Sequence, residues 1–337
     1  MQEGIRKKIL FINDLAVEHY QPENLLHKNP IIFIHGAFHG SWLFEKLQSY
    51  FAQKGWENFA LNWRGHYLSK PVNDLGKTGL ETIAEDFLQI IPKLPNMQTS
   101  RSESGHRVRR PDATQGSGRS PDLPFSESQR DRNVPPIDRR GFRSTELTAS
   151  LTPQKEFSGL NLPILIGHSM GVLVSLKIAE SLKTEKLVLL DGAPYRRIFL
   201  KAGLDKVMTL EGIESRFEVT EDYLFGMKKE HIIESFFVKD LMDEKELEQY
   251  ISLACPESGK MLVDIFIGKF EVDVSKIKVP VYILGKATGP TGHRLNEMMA
   301  EDLKAEKCLV FDAIGHDMIL QKDWEKYAGI IEGWIKE

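Results

Sequence analysis

Short apolar runs alternate with amphipathic stretches along most of this chain. Residues 30–35, Pro-Ile-Ile-Phe-Ile-His, form an apolar run that ends in Gly36. A continuous run of this length suits a parallel strand, because helices cover both of its faces. Over 42–54, Leu43, Leu47, Tyr50 and Phe51 recur at helical spacing, and Gly55 supplies a C-terminal stop. Residues 57–63 read as a second strand. Residues 80–91 read as an amphipathic helix that Pro92 ends. The runs at 161–167, 186–190, 279–284 and 307–311 have strand character, and the N-terminal residues read as another strand. Helical spacing returns at 170–182, with Val172, Leu173, Leu176 and Ile178 free to pack. It returns again at 323–335, where Trp324, Tyr327, Ile330, Ile331 and Trp334 share a face. Strands alternating with helices predict an α/β fold, with a mainly parallel central sheet and helices on both faces.

Two stretches break this rhythm. Residues 192–278 read as an all-helical cap inserted between two strands, with Asp243 and Glu246 spaced to open a helix. Between Asn96 and Gln154 the chain has ten arginines and no lysine, and is rich in Ser, Pro, Gly and Asp. Such a segment buries too little apolar surface to offset its ordering entropy. The expected organisation is therefore a main domain from 1–95 and 159–337, the cap at 192–278 within it, and a low-complexity, disordered insertion over 96–158. A tolerated surface insertion is the plainer reading of that segment, and a basic interaction loop is the other.

Composition narrows the function classes. The chain has 337 residues, 41% of them apolar, and a formal charge of −4. A near-balanced charge gives no reason to expect nucleic acid or an anionic membrane as a partner. No stretch approaches the roughly 18 apolar residues of a membrane helix. No apolar run of signal-peptide type follows the basic residues near the N-terminus, so the expected location is cytoplasmic. Cys255 and Cys308 suggest neither a metal site nor a disulfide framework.

The chemistry centres on Gly167-His168-Ser169-Met170-Gly171. The motif ends an apolar strand and opens a helix, which is the strand–turn–helix that a nucleophile elbow needs. Small residues flank the serine because the turn is tight. Ser169 is the expected nucleophile. His316, in Gly315-His316-Asp317-Met318 after the last strand, is the expected general base. His168 is expected to pack or hydrogen-bond beneath the elbow, and His66 to be structural. An oxyanion needs backbone donors. Met170 supplies one at the start of its helix. Ala37, in the loop His35-Gly36-Ala37-Phe38-His39-Gly40 after the first core strand, is expected to supply the second.

The set HGAFHGSW, NWRGHYLS, GHSMG and GHDM resembles the α/β-hydrolase superfamily. Within it, HGAFHGSW looks like the loop of methylesterases, hydroxynitrile lyases and their bacterial hydrolase relatives. The resemblance covers residues 28–95 and 160–337. It implies an α/β-hydrolase fold with a cap. One departure concerns the triad acid. Similar enzymes commonly place it shortly after the strand that corresponds to VPVYILG, where this chain has Thr288. Other relatives place it at the end of the strand after the nucleophile helix, where this chain has Asp191. Asp191 is thus the first candidate, Asp312 and Asp317 are alternatives, and a triad without an acid is a third possibility. In the cap, Phe217, Phe225, Phe236, Phe237, Phe266, Phe270, Met208, Met227, Met242 and Met261 either pack on the core or line an apolar acyl pocket. The expected function is cleavage of a carboxylic ester of an uncharged, fairly apolar small molecule through an acyl-enzyme. A lyase, a carbon–carbon bond hydrolase or a non-catalytic ligand-binding homologue is the alternative. The sequence implies no cofactor and no metal, and leaves the oligomeric state open.

Overall fold

A computed structural model of the chain describes residues 4–97, 161–206, 217–220, 224–227, 236–238, 241–288 and 292–337. The N-terminal residues form a hairpin of β1 (Ile5–Ile12) and β2 (Leu15–Pro22). Asn13 and Asp14 turn it with φ of 52° and 65°, the backbone sense that two-residue hairpin loops favour. The apolar runs become β3 (Ile31–Ile34), β4 (Asn58–Leu61), β5 (Ile164–His168) and β6 (Lys186–Leu190). Helix α1 (Glu45–Gln53) lies between β3 and β4, α2 (Leu80–Ile90) follows β4, and α3 (Met170–Ala179) joins β5 to β6. Gly55, at φ 86°, ends the α1 turn as its position predicted.

After α3 and β6 come α4 (Arg196–Lys201), β7 (Phe217–Val219), β8 (Leu224–Met227), α5 (Glu244–Leu253), β9 (Glu257–Ser258) and α6 (Gly259–Phe266). The chain then returns through β10 (Val281–Lys286), α7 (His293–Leu303), β11 (Lys307–Phe311) and α8 (Trp324–Lys336). The main sheet runs β1-β2-β4-β3-β5-β6-β10-β11. β3, β4, β5, β6, β10 and β11 are parallel, and β2 pairs antiparallel with β4.

Side chains alternate across this sheet and build a core on each face. Ile32, Ile34, Leu165, Leu187, Leu189 and Ile283 meet α2 and α3 through Ile83, Phe87, Leu173 and Leu176. Ile31, Phe33, Ile164, Ile166, Val188 and Leu284 meet α1 and α8 through Leu47, Phe51, Tyr327 and Ile331. Burial on both faces is what made these strands continuous apolar runs. Each such side chain contributes roughly 1.5–3 kcal/mol through burial.

Region 192–278 is not all-helical. β7, β8 and β9 pair there as a three-stranded antiparallel sheet. Strands of two to four residues carry too little alternation to be read from the chain. The helix start expected at Asp243 is present: Asp243 caps α5 and accepts N–H bonds from Lys245 and Glu246 at 3.0 and 3.2 Å.

Apart from Asn96 and Met97, the expected insertion lies outside the described residues. Its flanks meet: the Asn161 side-chain amide donates to the Asn96 carbonyl at 3.1 Å. Among the described residues, no helix is long and apolar enough to cross a membrane.

The strand order carries a functional consequence. The chain leaves β3 for β4 on one side and returns to β5 on the other. Open α/β sheets bind ligands at such a switch point, beyond the carboxyl ends of the strands.

Candidate active site

Ser169 follows β5 at that switch point, half-buried, with φ 55° and ψ −121°. This conformation is strained for a residue with a side chain. The surroundings impose it. The Ser169 N–H donates to the Leu190 carbonyl at 2.9 Å, and its carbonyl accepts from Val172 and Ala193 at 3.1 and 3.2 Å. The flanking glycines have no alternative. A Cβ on Gly171 would stand 2.2 Å from the Ile34 carbonyl oxygen, and one on Gly167 would stand 2.6 Å from that of Gly171. The close packing of α3 on β3 and on β5 thus requires glycine on both sides of the serine.

The loop after β3 runs past Ser169. A Cβ on Gly36 would lie 2.5 Å from the Ser169 Cβ and 3.1 Å from its Oγ. His35 sets this loop from below. Its Nδ1 faces the Gly36 carbonyl at 2.8 Å, and its Nε2 accepts the Trp63 N–H at 3.2 Å. Complete burial and the neighbouring His66 hold the His35 pKa well below its ordinary value, so the ring is neutral and carries its one proton on Nδ1. Ala37 follows directly and is buried. Met170 opens α3, where a helix N–H has no intrahelical partner. The two expected oxyanion residues therefore border Ser169 from the loop side and the helix side.

His316 lies in the loop after β11, nearly buried. Its Nδ1 is 2.5 Å from Oδ2 of Asp191, which is fully buried. Asp191 ends β6 with φ 41°, donates its N–H to the Leu284 carbonyl at 2.8 Å, and accepts the Lys286 N–H on Oδ1 at 3.2 Å. A ring nitrogen facing a carboxylate carries the proton, which leaves His316 Nε2 with its lone pair. Of the three candidate acids, the geometry brings Asp191 to the histidine. Asp317 faces His39 instead, with 2.9 Å between its Oδ2 and His39 Nε2. Asp312 is exposed, as is Thr288.

Three further groups make contacts that the sequence reading did not assign. Glu257, on β9 and fully buried, accepts the Phe38 N–H at 3.3 Å and lies 3.2 Å from His66 Nε2. Burial opposes charge on His66, but the Glu257 carboxylate outweighs it and raises the His66 pKa above its ordinary value. His39 joins Asp317 to the Ala37 carbonyl. Phe236 stacks on His316 with ring centres 5.6 Å apart. His39 lies in the HGAFHGSW loop, but its pairing with Asp317 depends on the fold; Glu257 and Phe236 sit in no local motif. His168, expected to hydrogen-bond beneath the elbow, does so: its Nε2 reaches the His316 carbonyl at 3.0 Å, and burial beside His316 lowers its pKa to about 3.

The cap aromatics and methionines serve mainly as packing. Phe225, Phe237, Phe270, Met242 and Met261 are buried in the two cores, and Phe266 packs against one of them. The side chains of Phe217, Met208 and Met227 lie outside the described residues. Among the described residues, His168, His316 and Asp317 bring metal-ligand atoms within 4.8 Å of one another. Those side chains are already engaged with the His316 carbonyl, Asp191 and His39 respectively. A surface cavity of about 560 Å³ beside α7, lined by His293, Arg294, Glu297 and Cys308, holds none of the site residues.

Sheet order, elbow and site position define an α/β-hydrolase fold. The family model described as "alpha/beta hydrolase fold" matches residues 29–99. No curated protein matches the chain. Solved structures do. A methylesterase from Arabidopsis is 14% identical, with TM-score 0.55 and coverage of 91% of this chain and 99% of that one. A monoacylglycerol lipase from Paleococcus ferrophilus is 17% identical, with TM-score 0.53 and coverage of 99% and 98%. A thermophilic esterase from Thermogutta terrifontis is 13% identical, with TM-score 0.57 and 98% of each chain covered.

Proposed function

We propose that this protein is a serine hydrolase that cleaves carboxylic esters of uncharged, fairly apolar small molecules through an acyl-enzyme. The observation that carries the proposal is the buried Asp191 carboxylate 2.5 Å from His316 Nδ1, on the same edge of the sheet as Ser169 in its strained elbow. Nδ1 is committed to Asp191, so Nε2 is the atom that takes a proton. Ser169 Oγ attacks the ester carbonyl carbon and gives its proton to His316 Nε2. The N–H groups of Ala37 and Met170 donate to the oxyanion of the tetrahedral intermediate. His316 then protonates the departing alkoxide, which leaves as the alcohol. Water, deprotonated by His316, releases the acid and regenerates Ser169. Asp191 holds the tautomer and stabilises the imidazolium throughout. Asp191 also favours catalysis over a purely ligand-binding role, because it provides the acid that position 288 lacks. Similarity to a methylesterase, a lipase and an esterase supports the ester class.

The test is labelling by a fluorophosphonate, which phosphonylates an activated serine whatever its natural substrate. Wild type is expected to be labelled and Ser169→Ala to remain unlabelled. Folded wild type that stays unlabelled overturns the proposal.

A further inference from the structure

Asp317 is fully buried directly after the base, yet His316 takes its acid from Asp191. Its carboxylate is used elsewhere. Oδ2 is 2.9 Å from His39 Nε2, and Oδ1 is 3.5 Å from His168 Nε2. The other nitrogen of His39, Nδ1, lies 2.5 Å from the Ala37 carbonyl oxygen. His39 thus bridges the Ala37 carbonyl and the Asp317 carboxylate, and a hydrogen bond to an ionised carboxylate is stronger than one between neutral groups. Burial pushes the Asp317 carboxyl up, but His39 and His168 outweigh it and hold its pKa below the ordinary carboxylate value.

The partners at each end give this pair its meaning. His39 grips the carbonyl of Ala37, the residue proposed to supply an oxyanion donor. Asp317 is bonded through one peptide to His316, and the His316 carbonyl is held by His168, the residue before Ser169. Two histidines and one carboxylate thus tie the oxyanion loop, the base loop and the nucleophile elbow together. These three segments come from distant parts of the chain and follow three different strands of the sheet. Asp317 also anchors its loop to the cap, through its N–H to the Phe236 carbonyl at 2.9 Å.

We infer that Asp317, with His39, is a positioning pair for the reaction: it holds the oxyanion donor at Ala37 in register with His316. The inference rests on the hydrolase reading above. A misplacement of reacting groups by about 1 Å costs on the order of 10²-fold in rate, so the pair acts on turnover more than on substrate affinity.

The experiment uses the full chain, p-nitrophenyl acetate as substrate, and fluorophosphonate titration to count working sites. Turnover per titrated site is compared for wild type, Asp317→Asn, His39→Gln and His39→Leu. Asp317→Asn and His39→Leu are expected to lower kcat per site by about 10- to 100-fold, with KM within about twofold of wild type. His39→Gln keeps an N–H donor near the Nε2 position and is expected to recover part of the turnover that His39→Leu loses. If the variants lose yield or Tm but turn over normally per titrated site, the pair is structural only and the inference is overturned. Should His39→Leu fail to fold, the near-isosteric Asp317→Asn and the polar His39→Gln decide the same question. An unlabelled wild type overturns the hydrolase reading, and this inference with it; a labelled wild type with unchanged variants overturns this inference alone.

Discussion

Asp191 is the residue on which the proposed triad turns. It ends a parallel strand in the left-handed region, at φ 41°, a conformation that Asp tolerates better than most side chains. That turn aims its carboxylate across the strand ends toward His316. β10 contributes as well, but through the backbone N–H of Lys286 to Asp191 Oδ1 and not through a carboxylate of its own. Asp191→Asn is expected to reduce kcat about 10⁴-fold, because an amide no longer selects the productive tautomer of His316. Near-normal ester turnover in this variant would remove Asp191 from the triad. The proposed nucleophile and base, Ser169 and His316, were legible in the chain because each sits in a local motif whose neighbours have a steric or positional reason to be there. His39 and Glu257 were not. His39 lies in the HGAFHGSW loop and Glu257 in no motif, but the partner of each lies far along the chain, 278 residues away for His39 and 191 for Glu257 with His66.

At the scale of elements, the two-residue strand β9 reaches further than its length suggests. The Cys255 N–H just before it binds the Phe38 carbonyl at 2.8 Å, and Glu257 takes the Phe38 N–H. Phe38 has φ 65°, so both of its backbone polar groups are held in a strained turn beside Ala37. The His66–Glu257 pair keeps that clamp charged. Because the folded-state pKa of His66 lies above its ordinary 6.5, the pair's stabilisation is fully present below about 6.5 and fades as pH rises through the folded value. Glu257→Gln leaves a buried cation with a weaker partner, and is expected to lower Tm by roughly 5–10 °C at about pH 6. The deficit should narrow as the pH rises to about 9. Thermal melts of both proteins across that range measure it, and a deficit independent of pH would remove the charged pair from the clamp. The parallel strands were readable because burial on both faces makes them uniformly apolar. β7, β8 and β9 were not, because they gain their pairing from one another and not from a pattern of their own.

For the whole molecule, the flanks of the arginine-rich segment meet at the Asn161–Asn96 hydrogen bond. Loop-closure entropy grows only slowly with length, so a long connection between adjacent points adds little cost to the folded state. Replacing residues 98–160 with a short Gly/Ser linker is therefore expected to leave Tm within about 5 °C and ester turnover within about threefold of wild type. Loss of a cooperative thermal transition would show that the segment is part of the fold.

By itself, the amino-acid order determined the alternation of strands and helices, the elbow around Ser169 and the position of His316 after the last strand. These follow from short-range physics: apolar periodicity, glycine at a tight turn, and the need for a base near a nucleophile. Tertiary structure decided which carboxylate reaches His316. Strand order places β6 beside β5 and β10, so the end of β6 faces the base loop, and adjacency in a sheet is not written in any local run of residues. The same holds for the His39–Asp317 and His66–Glu257 pairs. A buried charge needs its counter-charge within a few ångströms, but any segment that the fold brings there can supply it.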